Sequence, residues 1–371
     1  MGYKDDYKDL RNVFLKFKRE SYFETFNSAN IFYILGSKRD KAILTFIDQF
    51  FGDALGLQCF FTNDGINYVH DILSTTDEFS VTVGDCDSIV AVFKNKNSLT
   101  DMDNEFLKKM GQRKTQENNL IIYRFKKGFK HMIASNKEIE KISLYAIFLD
   151  SLIQNEFNDI IEAFNQDDCV VVSLNHEARE YSCLYRPLPY LEVMPKKLGV
   201  NLPFVEDYKN HVYINDECYL FTSYLPVSVK GSGVRPLLLY FYFANSNQME
   251  VKYVLSKPKD YEAIIYGILD EVFTKIGLPA KMVINNRDLY TIVSKTLDAL
   301  SIENSFERDN LKAGEEVSGL ISSMYQKTSD TEMEEEEIIQ MFEFLFQIFD
   351  NIDDIDYQVE DTLSGSEGFI S

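Results

Sequence analysis

The feature that most restricts the fold of this chain is the order of apolar segments and helix patterns in residues 212–300. Four apolar segments have the length and composition of β-strands: 212–214, 218–224, 237–243 and 250–255. A helix pattern at 259–276, a short strand at 282–284 and a second helix pattern at 288–300 follow them. Consecutive strands favour antiparallel neighbours, and the later helices must cover the sheet that these strands form. The order therefore predicts an α/β domain.

The first 166 residues alternate strand and helix patterns in a different order. Apolar residues at Leu10, Phe14 and Phe17 recur at helical spacing, and a long amphipathic pattern covers 137–165. Thr100 followed by Asp103 has the spacing of a capping box, which predicts a helix that runs to Met110. Strand patterns at 31–35, 42–46, 57–61, 88–93 and 121–125 separate these helices. We expect an α+β domain with a mixed or antiparallel sheet.

The chain of 371 residues is long enough for two domains. Polar residues at 166–168 separate the long helix pattern from a new strand pattern that begins at Cys169. We therefore expect an α+β domain at 1–166, an α/β domain at 167–327 and an acidic tail at 328–371.

The tail combines a strong negative charge with an apolar helix pattern. Residues 328–371 contain fourteen Asp or Glu and no Lys or Arg. A helix is predicted at about 333–352, with one apolar stripe spaced 4-3-4-3: Ile338, Phe342, Leu345, Phe349 and Ile352. A helix this apolar cannot stay in water, so we expect these residues to dock on the protein itself or on a partner chain, including self-association.

Composition excludes several classes of protein. The net charge of −21 argues against strong non-specific nucleic-acid binding by the whole molecule. No apolar run is long enough to span a membrane and no signal peptide opens the chain, so we expect a cytoplasmic protein. The five cysteines, Cys59, Cys86, Cys169, Cys183 and Cys218, contain no CxxC pair and fit free thiols in a reducing compartment. The four histidines are scattered, so no metal or cofactor is expected.

Two groups of segments carry a resemblance to known proteins. The first group is GDALGLQCFFTNDGINYVHDIL (52–73), FKNKNSLTDMDNEFLKKMG (93–111) and YRFKKGF (123–129); the second is VRPLLLYFYF (234–243) and GLPAKMVINNRDLYTIVSKTLDALSI (277–302). In this order they resemble a group of uncharacterised bacterial proteins that join two domains of unknown function. The resemblance covers most of residues 1–325 and implies a bacterial or phage cytoplasmic protein without an established activity.

The second group also resembles an RNase H-like fold of the integrase kind. This resemblance implies metal-binding acids after the first strand, here taken as 234–243, and after the strand that begins at Gly277. Ala244 or Asn245 and Asn285 or Asn286 hold those positions. Asparagine is neutral and cannot offset the charge of Mg²⁺ as a carboxylate does. We therefore expect no catalytic residues, although Asp288 and the acids Asp260 and Glu262 lie near in sequence.

One stretch of the first domain is strongly basic. Its cations and an aromatic residue between them are candidate polyanion-binding residues: Lys108, Lys109, Arg113, Lys114, Tyr123, Arg124, Lys126, Lys127 and Lys130. Cations could hold phosphates while aromatic rings stack on bases. The interpretation that we favour is a solvated loop and an edge strand protected by lysines. The acidic tail could also lie against this stretch and mask it.

The sequence alone favours a non-catalytic binding or regulatory protein that acts through protein–protein contacts. A second hypothesis is a nucleic-acid-associated protein, related to defence or mobile elements, whose basic stretch is masked by the tail. A third is an unconventional metal-dependent nuclease. Salt-dependent binding would separate the second hypothesis from the first, and metal-dependent cleavage would identify the third.

Overall fold

The structure is a computed structural model, and it describes residues 2–35, 41–50, 54–73, 86–175, 180–187, 199–307 and 331–350. The chain divides into two compact units, Met1–Lys196 and Lys197–Ser371. Both units combine helices with β-sheet, as the sequence predicts. Among the described residues, no helix is long and apolar enough to cross a membrane.

Helices and strands alternate in the first unit. Its helices are α1 (Tyr3–Arg19), α2 (Tyr22–Thr25), α3 (Asn63–Leu73), α4 (Asp101–Lys109) and α5 (Asn136–Asn165). Its strands are β1 (Phe32–Leu35), β2 (Lys41–Phe50), β3 (Ala54–Phe60), β4 (Ser88–Lys94), β5 (Asn119–Phe125), β6 (Met132–Ile133), β7 (Cys169–Asn175) and β8 (Glu180–Arg186). The predicted capping box is confirmed, because Thr100 and Asp103 exchange side-chain and backbone hydrogen bonds at the start of α4.

These described strands form one mixed sheet in the order β6-β5-β4-β3-β2-β1-β7-β8. Neighbours are antiparallel except β1 and β7, which pair in parallel with Phe32 opposite Val170. Helices α1 and α5 cover one face, where Phe14, Phe17 and Leu149 are fully buried. Helix α3 packs on the other face. The central strands are therefore buried on both sides.

The division between the units differs from the expected boundary at 166–168. Strands β7 and β8 lie beyond that boundary, yet they extend the first sheet next to β1. Val170 and Val172 pack on the face of α1 and α5, and Val171 packs on the face of α3. A strand pattern does not reveal which sheet the strand joins, so the polar turn after α5 resembled a boundary.

The second unit has a sheet with helices on both sides. Its helices are α6 (Leu202–Tyr208), α7 (Tyr261–Lys275), α8 (Arg287–Ala299) and α9 (Glu335–Asp350). Its strands are β9 (Tyr213–Tyr224), β10 (Val227–Val229), β11 (Leu237–Phe243), β12 (Gln248–Val254), β13 (Leu278–Ile284), β14 (Glu303–Phe306) and β15 (Thr331–Met333).

Five of the described strands form the main sheet of this unit, in the order β12-β11-β9-β13-β14. Strand β11 is antiparallel to its neighbours β9 and β12, whereas β13 is parallel to both β9 and β14. Strand β9 is continuous from Tyr213 to Tyr224, so the two short strands predicted there are one. Helices α7 and α8 follow the third and fourth strands in chain order.

The two faces of the second sheet are both covered. Alternate residues of β11, Leu239 and Phe241, pack with α7 and α8 in one apolar cluster. Leu238 and Tyr240 point to the opposite face, where they cluster with Ile338 and Phe342 of α9. The alternation follows from the period of two along a strand. The beginning of the acidic tail is therefore part of the core of this unit.

Candidate functional site at the ends of two parallel strands

The carboxyl-terminal ends of β9 and β13 bring three polar side chains together in the second unit. The two strands are parallel neighbours, with Ile284 opposite Leu220. The backbone N–H of Asn285 donates to the carbonyl oxygen of Leu220 at 3.2 Å. Thr222, Asn285 and Asn286 consequently meet at one end of the sheet. Ligand sites in sheets with parallel strands commonly lie at such ends.

These three side chains satisfy one another by hydrogen bonds. The Asn285 carbonyl oxygen Oδ1 accepts from the backbone N–H of Thr222 at 2.9 Å and lies 3.3 Å from its hydroxyl. Asn286 Nδ2 donates to the Thr222 hydroxyl at 3.1 Å. The Asn286 carbonyl oxygen accepts from the N–H groups of Asp288 and Leu289 and so caps α8. The network is neutral, and its groups stabilise the strand ends and the start of the helix.

The two positions where the resemblance implied metal-binding acids do not lie at the same end of the sheet. Ala244 and Asn245 follow β11, and the N–H of Ala244 donates to the carbonyl oxygen of Glu217 near the start of β9. Because β11 is antiparallel to β9, its end lies at the opposite end of the sheet from Asn285. The side chain beside Asn285 is Thr222.

A buried carboxylate missed by the sequence analysis lies at that opposite end. Asp216 is 3% exposed, and its two oxygens accept hydrogen bonds from the N–H groups of Glu217, Asn245 and Ser246 and from the Ser246 hydroxyl. Burial opposes ionisation, but the bonds from Ser246 and from the three backbone N–H groups lower the pKa of Asp216 below its usual value. The carboxylate stabilises the turn between β11 and β12.

The other nearby acids are spread over two helix starts. Asp260 and Glu262 are exposed at the start of α7. Asp288 lies in the first turn of α8, whose N-terminal cap is Asn286. Among the residues that the structure describes, no three His, Cys, Asp or Glu side chains are grouped closely enough to hold a metal ion.

Several side chains of the basic stretch of the first unit are exposed. Lys108 and Lys109 lie on the last turn of α4, and Arg113 and Lys114 follow it. No ion pair within the described ranges involves any of these four cations. Lys126 is also exposed, with its ammonium group 4.8 Å from the centre of the Phe129 ring. Lys127 and Lys130 are half-buried, and the backbone N–H of Lys127 donates to Asp87.

Two members of the basic stretch do not fit the expected binding surface. Tyr123 was a candidate for base stacking, but it lies on the central strand β5 and is 1% exposed. Arg124 is paired with Asp87 at 3.3 Å and with Glu138 at 2.9 Å, and its guanidinium lies 4.9 Å from the Phe61 ring centre. Tyr123 belongs to the apolar cluster that α1, α4 and α5 form on this face of the sheet, so its ring is not accessible for stacking on a base in this structure.

Tyr123 belongs to a buried charged network that the sequence did not reveal. Its hydroxyl donates to Asp103 at 2.5 Å, and the Lys94 ammonium group donates to Asp103 at 2.8 Å and to Tyr123 at 3.0 Å. Asp103 is fully buried and Lys94 is 7% exposed. Burial would raise the pKa of Asp103, but the bonds from Lys94, Tyr123 and Thr100 lower it. The network ties the start of α4 to β4 and β5.

The predicted docking residues of the tail divide into three groups. Ile338 and Phe342 are fully buried against the second unit's own sheet. Leu345 and Phe349 lie on α9, as predicted. Ile352 lies outside the described residues. The first two residues are therefore not an exposed surface for a partner.

The thiols are buried and poorly reactive. Cys59, Cys86, Cys169 and Cys218 are buried, and Cys183 is half-buried; each of the five is a thiol and not half of a disulfide. Burial raises the pKa of the Cys59 and Cys169 thiols to about 12 and that of Cys183 to about 11. Since the thiolate is the nucleophile, these groups are unsuited to covalent catalysis near neutral pH. His176, near Cys169 in sequence, lies outside the described residues.

Comparison with known proteins identifies a likeness in the first half of the chain. A family described as "Domain of unknown function (DUF7309)" matches residues 7–176. This agrees with the expected resemblance to a domain of unknown function. The matched segment contains β1 to β7 and helices α2 to α5. No curated protein matches the sequence.

Solved retroviral integrases show a weak likeness. The catalytic core of HTLV-2 integrase in complex with magnesium has 12% identity in its dimeric form and 14% in its trimeric form. Each match covers 32% of this chain and 73% of the integrase chain, with TM-scores of 0.23 and 0.24. A chain of the simian T-cell lymphotropic virus intasome in complex with PP2A regulatory subunit B56 gamma has 12% identity and a TM-score of 0.25. That match covers 31% of this chain and 41% of the intasome chain. Scores of this size do not establish a shared fold.

Proposed function

We propose that this protein is a non-catalytic binding protein that acts through protein–protein contacts, and that its second unit is an RNase H-like domain. The strand order supports the fold assignment. Taken in chain order, the five strands of the main sheet are arranged 3-2-1-4-5, with the first three antiparallel and the last two parallel to the first. A helix follows the third strand and another follows the fourth.

The observation that carries the functional proposal is the neutral network of Thr222, Asn285 and Asn286. Metal-assisted phosphoryl transfer needs carboxylates that bring cations to the attacking and leaving oxygens. Here amide and hydroxyl groups hold the ends of the two parallel strands, and they bond to one another. A cation would have to break these bonds and would gain no negative charge in return.

A cleavage assay tests this proposal. Single- and double-stranded DNA and RNA are incubated with the full chain and Mg²⁺ or Mn²⁺, and we expect no cleavage. A variant with Asp288→Ala serves as the comparison, because Asp288 is the acid nearest the network in sequence. Metal-dependent cleavage by the parent that is lost in Asp288→Ala would refute the proposal and support the unconventional nuclease.

A second candidate function is nucleic-acid association through the exposed part of the basic stretch. It is favoured by the exposure of Lys108, Lys109, Arg113 and Lys114 at the end of α4. Cations placed together in this way neutralise phosphates and release counterions, which makes binding salt-dependent. Tyr123 and Arg124 take no part, because the first is buried and the second is paired.

Salt titration tests this second candidate. Binding of DNA and RNA by the full chain is measured against salt and compared with a variant in which those four cations are changed to Glu. We expect the variant to bind more weakly and with a smaller salt slope, by about 0.7–0.9 for each lost phosphate contact. Lys257→Glu with Lys259→Glu, two exposed cations of the second unit, is the matched control. Equal binding by all three proteins would refute the role of the basic stretch.

The expected masking of the basic stretch by the tail needs a separate comparison. The described part of the tail, residues 331–350, packs on the second unit through Met333, Ile338, Met341 and Phe342. The acids in the rest of the tail lie outside the described residues. If those acids mask the stretch, a chain that ends at Gln326 will bind polyanions more tightly than the full chain. Equal affinity would exclude masking.

A further inference from the structure

We propose that the sheet face beneath the tail is a docking groove for a helical segment, and that the tail occupies it until a partner with the tail's own chemistry displaces it. We call this surface the docking face; it comprises Tyr219, Leu238, Tyr240, Tyr253 and Val283. This inference rests on the proposed binding function and names the surface and the kind of partner. Such a partner presents a short strand, an acidic first helical turn and apolar residues four positions apart.

The strand part of the tail is held by backbone pairing. Strand β15 pairs in parallel with β10, with Val227 opposite Thr331 and Val229 opposite Met333. The N–H of Lys230 donates to the carbonyl oxygen of Met333 at 2.9 Å. A pairing of three residues fixes the direction and register of the segment, in the manner of a peptide strand added to a sheet edge.

The helical part is held by two apolar side chains one turn apart. Ile338 and Phe342 are fully buried among the residues of the docking face. The Phe342 ring stacks on Tyr253 with a centroid distance of 4.1 Å and an interplanar angle of 7°. A helix that lays residues i and i+4 into an apolar surface is a common mode of peptide recognition.

One ion pair links the docking face to the acidic start of this helix. The carboxylate of Glu334 pairs with the ammonium group of Lys230 at 2.5 Å. Glu335, Glu336 and Glu337 lie in the first turn of α9, where the helix dipole favours negative charge. Lys230 therefore marks the end of the groove that receives the acidic turn.

Other apolar residues continue the docking face along β11 and β12. Tyr242, Met249 and Val251 lie on the same face and remain half-buried with the tail in place. Twenty-three residues separate Glu307 from Thr331, which gives a reach of up to about 80 Å for an extended chain. The tail can therefore move away from the face while it stays attached to the chain.

Competition with a synthetic peptide tests the proposal. A fluorescent peptide of residues 328–350 is titrated with the full chain and with a chain that ends at Lys327. We expect the shortened chain to bind the peptide, and the full chain to bind it about 10- to 100-fold more weakly, because the tethered tail competes at an effective concentration near the millimolar range. Phe342→Ala in the peptide should weaken binding by about 100-fold. Gln340→Ala, a change at an exposed position, should leave binding unaltered.

A second variant provides the same test in case the shortened chain does not fold. In the full chain, Ile338→Ala with Phe342→Ala loosens the tail without removing it, and this variant should also bind the peptide more tightly than the parent. Failure of both folded proteins to bind would overturn the proposal, as would unfolding of both, because the tail would then be an inseparable part of the core. Nuclease activity would refute the proposed function and leave the peptide result unaffected, so the two failures can be told apart.

Discussion

Replacement of Asp103 by Asn should destabilise the first unit strongly, although the two side chains have nearly the same shape. Asp103 is fully buried and is the only carboxylate among the described residues that pairs with Lys94. The substitution leaves the Lys94 ammonium group in the core, 7% exposed, with neutral partners. Asn has one carbonyl oxygen, which can keep the bonds from Lys94 and from the Thr100 N–H, while its amide nitrogen faces the Tyr123 hydroxyl and donates to it. The change therefore removes the negative charge and reverses one hydrogen bond.

The magnitude follows from the burial of the pair. Removing one partner of a buried ion pair costs about 3–5 kcal/mol, because the other charge stays desolvated without compensation. Replacing both charges is far less costly. A double variant, Lys94→Met with Asp103→Asn, should therefore recover most of the loss and come within about 1–2 kcal/mol of the parent protein.

Native-state hydrogen exchange measures this effect in the first unit alone. The backbone amides of β4 and β5 adjoin the pair, and their slowest exchange reports opening of this sheet. A loss of 3–5 kcal/mol corresponds to exchange that is about 100- to 4000-fold faster, since each 1.36 kcal/mol is a factor of ten. Acceleration below about fivefold in Asp103→Asn, with no recovery in the double variant, would refute the reasoning.

The pair of Lys94 and Asp103 also makes the stability of the first unit depend on pH. The bonds from Lys94, Tyr123 and Thr100 outweigh burial and lower the pKa of Asp103 in the folded state. Its contribution to stability is therefore present above the unfolded pKa of about 3.9 and is lost as the pH falls through the lower, folded value. The parent protein should show acid-induced acceleration of β5 exchange below about pH 4, and this component should be absent in Asp103→Asn.

Substitutions at Gly56 and at Asp216 give two further predictions for stability. Gly56→Ala should lower the free energy of unfolding by about 1–3 kcal/mol, because an added Cβ would lie 2.6 Å from the carbonyl oxygen of Ala91 on the neighbouring strand. Gly267→Ala is the matched control, because Gly267 lies in the middle of α7 with nothing within 4 Å of the new Cβ, and it should stabilise the protein by up to about 1 kcal/mol. Thermal unfolding compares the two variants, and equal shifts in their unfolding temperatures would refute the steric argument. Asp216→Ala should cost about 1.5–3 kcal/mol and speed amide exchange at Ser246, because the turn loses its charged acceptor. That contribution should also fade below about pH 4, since the folded pKa of Asp216 is lowered; exchange at Ser246 that is unchanged in the variant would refute the role of the carboxylate.

Local signals predicted the helices well because their causes lie within a few residues. Thr100 and Asp103 satisfy each other's backbone, so their spacing alone identified the start of α4. Strand β9 was harder to recognise: it begins with exposed residues before its buried part, so the sequence suggested two short strands. With β11 taken as the first strand, the expected positions after β11 and after β13 were treated as neighbours, whereas they lie at opposite ends of the sheet.

Contacts between residues that are distant in sequence explain the remaining differences between the prediction and the structure. The stripe of Ile338 and Phe342 predicted an apolar helix face, but a stripe carries no information about the surface that receives it. Tyr123 lies in a strand whose residues are buried on both faces of the sheet. Its neighbours in sequence therefore could not show whether its ring is exposed for stacking on a base or packed in the core. Lys94 and Asp103 lie on different elements, and only the fold brings them within 2.8 Å.

The parallel pairing of β1 with β7 has a consequence for how the chain is made. During synthesis, β1 leaves the ribosome more than 130 residues before its neighbour on one side. Until β7 arrives, that side of β1 is an open row of backbone donors and acceptors within an apolar sheet, which invites pairing between nascent chains. An expression product cut at residue 166, where the polar turn after α5 suggests a natural end, would keep this open side permanently and should aggregate. A product that continues through β8 would close it.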